Sequence, residues 1–280
     1  MQLSNNQYLC ANKKYEDADI VIFGAPFDGT SSYRSGSRFA PNAIREASKS
    51  IETYSPLQCK DTEDLKIADI GDMELPFGEK IRALDQIKKL VKDILRDEKI
   101  PVAIGGEHLI SLATIEECYK KYKNLNVIQL DAHTDLREQY IGEKLSHATV
   151  MRRVSELIGF QNIYQFGIRS GLREEFALCE KHNTIYQFNK KDFERLIKAI
   201  AKNPTYITLD IDVFDPSFVP GVSNPEAGGV CFNTVMTFLE YAKKLHIVGL
   251  DLVELSPHYD PSNISSFLVA KLLREMLLVI

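Results

Sequence analysis

No cysteine in this 280-residue chain belongs to a CxxC pair. The five present, Cys10, Cys59, Cys118, Cys179 and Cys231, are odd in number and widely spaced. That pattern argues against a disulfide framework or a thiolate zinc site and leaves them as small hydrophobes. No apolar leader core appears in the opening residues MQLSNNQYLC. No stretch reaches the ~20 apolar residues of a membrane span, and even the final KLLREMLLVI is broken by Lys271, Arg274 and Glu275. A cytoplasmic location is expected on both counts. Dense Lys/Arg clusters are also missing, and the formal net charge of −5 argues against nucleic acid or an anionic membrane as partner. No Gly/Ser-rich or Pro-rich linker, repeat or low-complexity segment divides the chain, so a single domain over residues 1–280 is expected.

What is present is ordinary for a globular protein: 44% hydrophobic and 26% charged residues, in a chain long enough to bury a core without staples. Short β-rich apolar segments recur at 19–25, 66–70, 100–104, 126–130, 162–167, 184–188, 205–210 and 247–251. Several, such as Ile20-Val21-Ile22-Phe23, are nearly continuous in apolar character, as parallel strands covered on both faces should be. Helical spacing lies between them. Ile81, Leu84, Ile87, Val91, Ile94 and Leu95 form one stripe, and Pro41 precedes Ile44, Ala47 and Ile51. Ile264, Phe267, Leu268 and Leu272 mark a C-terminal helix after Pro261-Ser262. This alternation predicts an α/β domain with a parallel sheet, though pattern alone also permits a closed barrel.

Chemistry gathers just past the strand ends. Segment 100–104 runs into Gly105-Gly106-Glu107-His108, segment 126–130 into Asp131-Ala132-His133-Thr134-Asp135, and segment 205–210 into Ile211-Asp212. Carboxyl ends of parallel strands are where α/β proteins build sites. Asp131, His133 and Asp135 are spaced by two, as are Asp210 and Asp212, so an extended chain would point each set to one side. A single aspartate at a strand end is most often a cap or turn residue. Three successive strand ends with the same chemistry are not explained by caps. Four converging carboxylates would repel unless cations neutralised them, and two divalent ions match their charge. Oxygen-rich ligation with two imidazoles suits manganese better than zinc.

These residues resemble the ureohydrolase family of arginases, agmatinases, formiminoglutamases and other guanidino-acid hydrolases. The matching segments are GGEH (105–108), DAHTD (131–135), SHAT (146–149), TLDIDVFDP (208–216), PGVSNPEAGG (220–229) and DLVELSP (251–257), with GAPFDGTSSYRSGSRFAPNAIR (24–45) upstream. The resemblance implies an open, eight-stranded, mostly parallel sheet flanked by helices on both faces, and two Mn2+ ions per subunit. By motif position one ion would be held by His108, Asp131, Asp135 and Asp210, the other by Asp131, His133, Asp210 and Asp212. It further implies that His147 binds substrate and carries protons, that Glu254 binds the guanidinium in a bidentate manner, and that Asp135 orients the attacking hydroxide. A homo-oligomer, trimer or hexamer, is implied as well.

The substrate is less constrained. Arg137 stands where arginases place an α-carboxylate-binding asparagine, and DLRE with YQFGIRSG (164–171) looks like a group of bacterial agmatinases. Those convert agmatine and water to putrescine and urea, in polyamine synthesis. Against this, PGVSNP (220–225) is closer to formiminoglutamases, where Arg137 would pair with a substrate carboxylate. Agmatine is the expected substrate; formiminoglutamate, arginine and other guanidino acids are the alternatives. A single-zinc deacetylase would not need the complete second ligand set, and a non-catalytic binding module would be expected to have lost a ligand.

Overall fold

The apolar run at residues 20–23 forms the middle of strand β1 (Ile20–Ala25), every residue of which is buried. Alternate side chains enter opposite layers: Ile20 and Ile22 join one core, Val21 and Phe23 the other. The computed structural model describes residues 6–280; residues 1–5, part of the opening segment read above for a leader, lie outside the described residues. Downstream follow β2 (Tyr54–Ser55), β3 (Lys60–Asp61), β4 (Ile67–Asp72), β5 (Ile100–Gly105), β6 (Asn126–Leu130), β7 (Ile163–Phe166), β8 (Ile185–Tyr186), β9 (Pro204–Asp210) and β10 (His246–Val253). Eight of them form one sheet in the order β4-β1-β5-β10-β9-β6-β7-β8, every neighbouring pair parallel. All eight predicted segments are in this open sheet, which decides it against a barrel. The β2–β3 pair is a separate antiparallel hairpin that the apolar pattern did not announce.

Among the described residues the α-helices are α1 (Ala40–Ser48), α2 (Lys80–Arg96), α3 (Ile110–Lys121), α4 (Val150–Ile158), α5 (Arg173–His182), α6 (Lys190–Ile200), α7 (Phe232–Ala242) and α8 (Ile264–Leu277). Buried side chains of α1, α6, α7 and α8 pack with one layer of the core, and those of α2, α3 and α4 with the other. Both faces of the sheet are therefore covered, which is why its strands carry no polar alternation. The predicted stripes overreach at their ends, and Ile51 lies beyond the last residue of α1. Ile81 is 63% exposed and Ile264 58%, each in the first turn of its helix, and Phe267 also faces solvent. Burial begins instead at Ala83 in α2 and Ser265 in α8. The five cysteines are free. No described helix is long and apolar enough to cross a membrane.

Candidate metal and substrate site

Four central strands, β5, β10, β9 and β6, lie side by side, and the acidic and histidine residues hang from their carboxyl ends. Beyond β5 the chain passes close against the segment that follows β1. A Cβ at Gly106 would lie 1.9 Å from the Phe27 carbonyl oxygen, so only glycine permits the approach. The Glu107 N–H then donates to that carbonyl at 2.7 Å, fixing where His108 begins. At the end of β9 a single 3-10 turn, Ile211–Val213, is capped by Asp210, whose Oδ1 accepts the Asp212 N–H at 2.8 Å. Past β6 the chain does not stay extended: Asp135 has φ +53°, in the left-handed region. Glu254, just past β10, has φ +68°. Such conformations cost a non-glycine residue about 1–3 kcal/mol and persist where surrounding structure imposes them.

The predicted row of Asp131, His133 and Asp135 is thus not a row. It splits into two sets that share Asp131. His108, Asp131 and Asp135 offer donor atoms within 4.8 Å of one another, and so do Asp131, His133 and Asp212. His108 Nδ1 lies 2.9 Å from Asp135 Oδ2, 3.1 Å from Asp131 Oδ2 and 3.5 Å from Asp210 Oδ2. Despite that crowding it makes no well-aligned hydrogen bond, being aimed among the three oxygens rather than at any one. His133 Nδ1 is 2.8 Å from Asp212 Oδ2. A buried ring nitrogen pointing into a gap ringed by carboxylate oxygens is the geometry of a ligand set, and the donors fit a hard divalent ion.

Electrostatics agree. Burial, then the charges of Asp212 and Asp135, raise Asp131 to about 7. Burial, then Asp212 and Asp131, push Asp210 well above the carboxylate range. Burial acts against a charged His133, yet its hydrogen bond with Asp212 and the surrounding carboxylates outweigh that and raise it to about 10. His108 is likewise raised despite burial, by Asp131 and Asp135. For Asp212, burial is outweighed by the bond from His133, and its carboxyl is lowered. A cluster of this kind draws protons when nothing else balances its charge, and divalent ions would balance it more completely.

Above the cluster opens a pocket of about 500 Å³, lined by His108, His133, Asp135, Asp210, Asp212, Arg137, His147 and Glu254 among others. Asp131 lies beneath it, fully buried. Glu254 Oε1 accepts the His108 N–H at 2.8 Å, while Oε2 is buried without a partner. Oε1 keeps a second lone pair beside its backbone bond and Oε2 is wholly available, so both oxygens stay open to a guanidinium. Arg137 is already engaged, its Nε 3.8 Å from Glu175 and its guanidinium 4.8 Å above the Tyr140 ring. Tyr140 in turn sets its edge against His147 at 5.4 Å.

Several supporting residues escaped the sequence reading. Thr208 Oγ1 lies 2.9 Å from His108 Nε2 and donates to Asp251 at 2.6 Å, while the Tyr206 hydroxyl donates to the other Asp251 oxygen at 2.7 Å. Gln129 donates to Asp131 Oδ2 at 2.6 Å and is itself held by Gln165 at 2.7 Å. Glu107, raised to about 8 chiefly by burial, accepts from the Thr30 backbone and hydroxyl. The Thr30 Oγ1 also accepts the His147 N–H at 3.1 Å. The available signal was a polar residue inside an apolar strand or beside a ligand, as at Gln129, Thr208 and Glu107.

The Arginase family model matches residues 18–279. The chain belongs to the Arginase family. It is 43% identical over 279 residues to the agmatinase of Bacillus subtilis (strain 168), covering 98% of this chain and 96% of that one. A crystal structure of a proposed agmatinase from Clostridium difficile superposes with TM-score 0.92 at 41% identity, covering 95% of this chain and 98% of that one. The agmatine ureohydrolase of Thermoplasma volcanium matches with TM-score 0.87 at 34% identity, covering 99% of this chain and 94% of that one. The chain is accordingly a metal-dependent hydrolase of the ureohydrolase type, acting on a guanidino C–N bond.

Proposed function

We propose that this chain hydrolyses agmatine to putrescine and urea with two manganese ions, one held by His108, Asp131, Asp135 and Asp210, the other by Asp131, His133, Asp210 and Asp212. The observation that carries the reading is Glu254 Oε2, a buried carboxylate oxygen without a partner in a residue that lines the pocket beside both donor sets. An acceptor left unmatched in a buried place costs stability unless a ligand supplies a donor, and a planar guanidinium supplies several. When bound, the pair of ions supplies an activated water at neutral pH. Glu254 orients the guanidinium plane toward that water. Asp135, fixed by its left-handed backbone, holds the attacking water in line. His147, in the pocket wall against Tyr140, carries a proton to the departing amine, as an imidazole suits.

Arg137 favours agmatine over a carboxylated substrate. Its charge is already partly met by Glu175 and its face by Tyr140, so it does not wait for a carboxylate. A role in polyamine synthesis, a cytoplasmic location and a trimeric or hexameric assembly belong to the same proposal. The test is manganese-loaded protein offered agmatine, arginine and 4-guanidinobutyrate with urea measured, and formiminoglutamate with ammonia and formamide measured. Urea from agmatine alone is the expected result. Turnover confined to carboxylated substrates would overturn the agmatine assignment and make Arg137 the anchor.

A further inference from the structure

One residue of the FGIRSG segment does more than follow a strand. Arg169 sends its guanidinium into six backbone carbonyls and no carboxylate. Nη2 donates to Asp212 at 2.7 Å, Glu226 at 2.7 Å and Phe214 at 3.4 Å. Nη1 donates to Gly167 and Val213, and Nε to Ala227, each at 3.2 Å. The Arg169 and Ser170 N–H groups both donate to Ala132 at 2.8 and 2.9 Å, and Ser170 returns its carbonyl to the Thr134 N–H at 3.2 Å. One residue thus sits where three pieces of the site meet: the turn carrying Asp131 and His133, the turn carrying Asp212, and the loop carrying Asn224 and Glu226, both of which line the pocket.

We propose that Arg169 is the positioning residue that couples the second metal set to the substrate side of the pocket. Its planar fork addresses carbonyls in several directions at once, which a lysine ammonium with three donors cannot reproduce. The Asp212 carbonyl and the Glu226 carbonyl bind the same nitrogen. Any shift of the 224–227 loop on meeting the substrate chain is therefore passed to the backbone of a residue whose carboxylate faces His133 at 2.8 Å. The first set, His108 with Asp131 and Asp135, has no bond to Arg169 and hangs on Thr208 and Glu254 instead. Loss of the fork should therefore act unequally on the two sets. This inference rests on the two-ion reading above.

The experiment compares full-length wild type with Arg169→Lys and Arg169→Gln. It measures manganese bound per chain across a titration, then KM and kcat for agmatine at saturating manganese. In Arg169→Lys the second ion is expected to bind on the order of 10–100-fold more weakly, the range seen when groups supporting metal ligands are removed. The first ion should bind as in wild type. KM should rise more than kcat falls, because saturating manganese refills the second site but does not restore the 224–227 loop. A general stability role would weaken both ions together or neither. Equal weakening, unchanged binding and KM, or failure of both variants to fold would each overturn the proposal. A wild-type chain that binds fewer than two ions would instead sink the two-ion reading, which separates the two failures.

Discussion

Replacing Thr208 by valine keeps the shape of the side chain and removes one hydroxyl. That hydroxyl is fully buried and lies between His108 Nε2 at 2.9 Å and Asp251 Oδ1 at 2.6 Å. Since it donates to Asp251, it can only accept from His108 Nε2–H, which leaves Nδ1 to face Asp131, Asp135 and Asp210. Thr208→Val strands a buried N–H and takes one donor from a buried carboxylate. Each such loss is worth about 1–3 kcal/mol, so metal-free protein should lose roughly 2–4 kcal/mol. Asp251 limits the upper end: burial already raises it, and protonation would relieve part of the cost. Metal affinity should fall on the order of 10–100-fold, because the imidazole is no longer held in the tautomer that presents Nδ1. Denaturant unfolding of chelated protein and a manganese titration measure the two effects, with Thr208→Ser expected to stay near wild type. A loss under about 0.5 kcal/mol with unchanged manganese binding would refute the reasoning, since that is the scatter of neutral substitutions.

Metal uptake should release protons. His108 and His133 are both raised, the latter to about 10, which favours their charged forms, and each must be neutral to ligate. Their contribution to metal-free stability is full below the ordinary histidine range and is lost as pH rises through the raised values, whereas manganese affinity climbs over the same span. Calorimetry in buffers of different ionisation enthalpy should count at least those two protons near neutral pH, and a count near zero would contradict the assignment. Glu254→Gln keeps an acceptor for the His108 N–H, so it should raise KM and lower kcat for agmatine while leaving the manganese count unchanged; unchanged KM and kcat would remove Glu254 as the guanidinium's partner. His147→Asn should lower kcat on the order of 10²–10⁴-fold with little change in metal binding, and near-normal turnover would remove it as proton carrier.

Much of this was legible because parallel strands buried on both faces write themselves as apolar runs, and ligand chemistry admits few residue types. Segments 100–104, 126–130 and 205–210 delivered His108, Asp131 and Asp210 to one end of the sheet as read. The manner of convergence was not legible. Spacing by two suggested extended chain, whereas Asp135 reaches His108 through a left-handed backbone and Asp212 reaches His133 through a 3-10 turn. Supporting contacts were out of reach for another reason: Thr208 meets His108 across 100 residues and Thr30 meets Glu107 across 77, and nothing local marks such pairs. The β2–β3 hairpin has two-residue strands, too short for any periodicity to show. Ile81 fitted the α2 stripe by spacing, but the first helical turn is not covered.

The most direct test is to titrate manganese into chelated protein while measuring urea formed from agmatine, in wild type and in Asp212→Ala. The account predicts that the wild-type rate grows with occupancy up to two ions per chain, and that Asp212→Ala retains at most one tight ion and loses most turnover. Full activity in chelated protein, or an Asp212→Ala chain that binds two ions tightly and turns over normally, would contradict it.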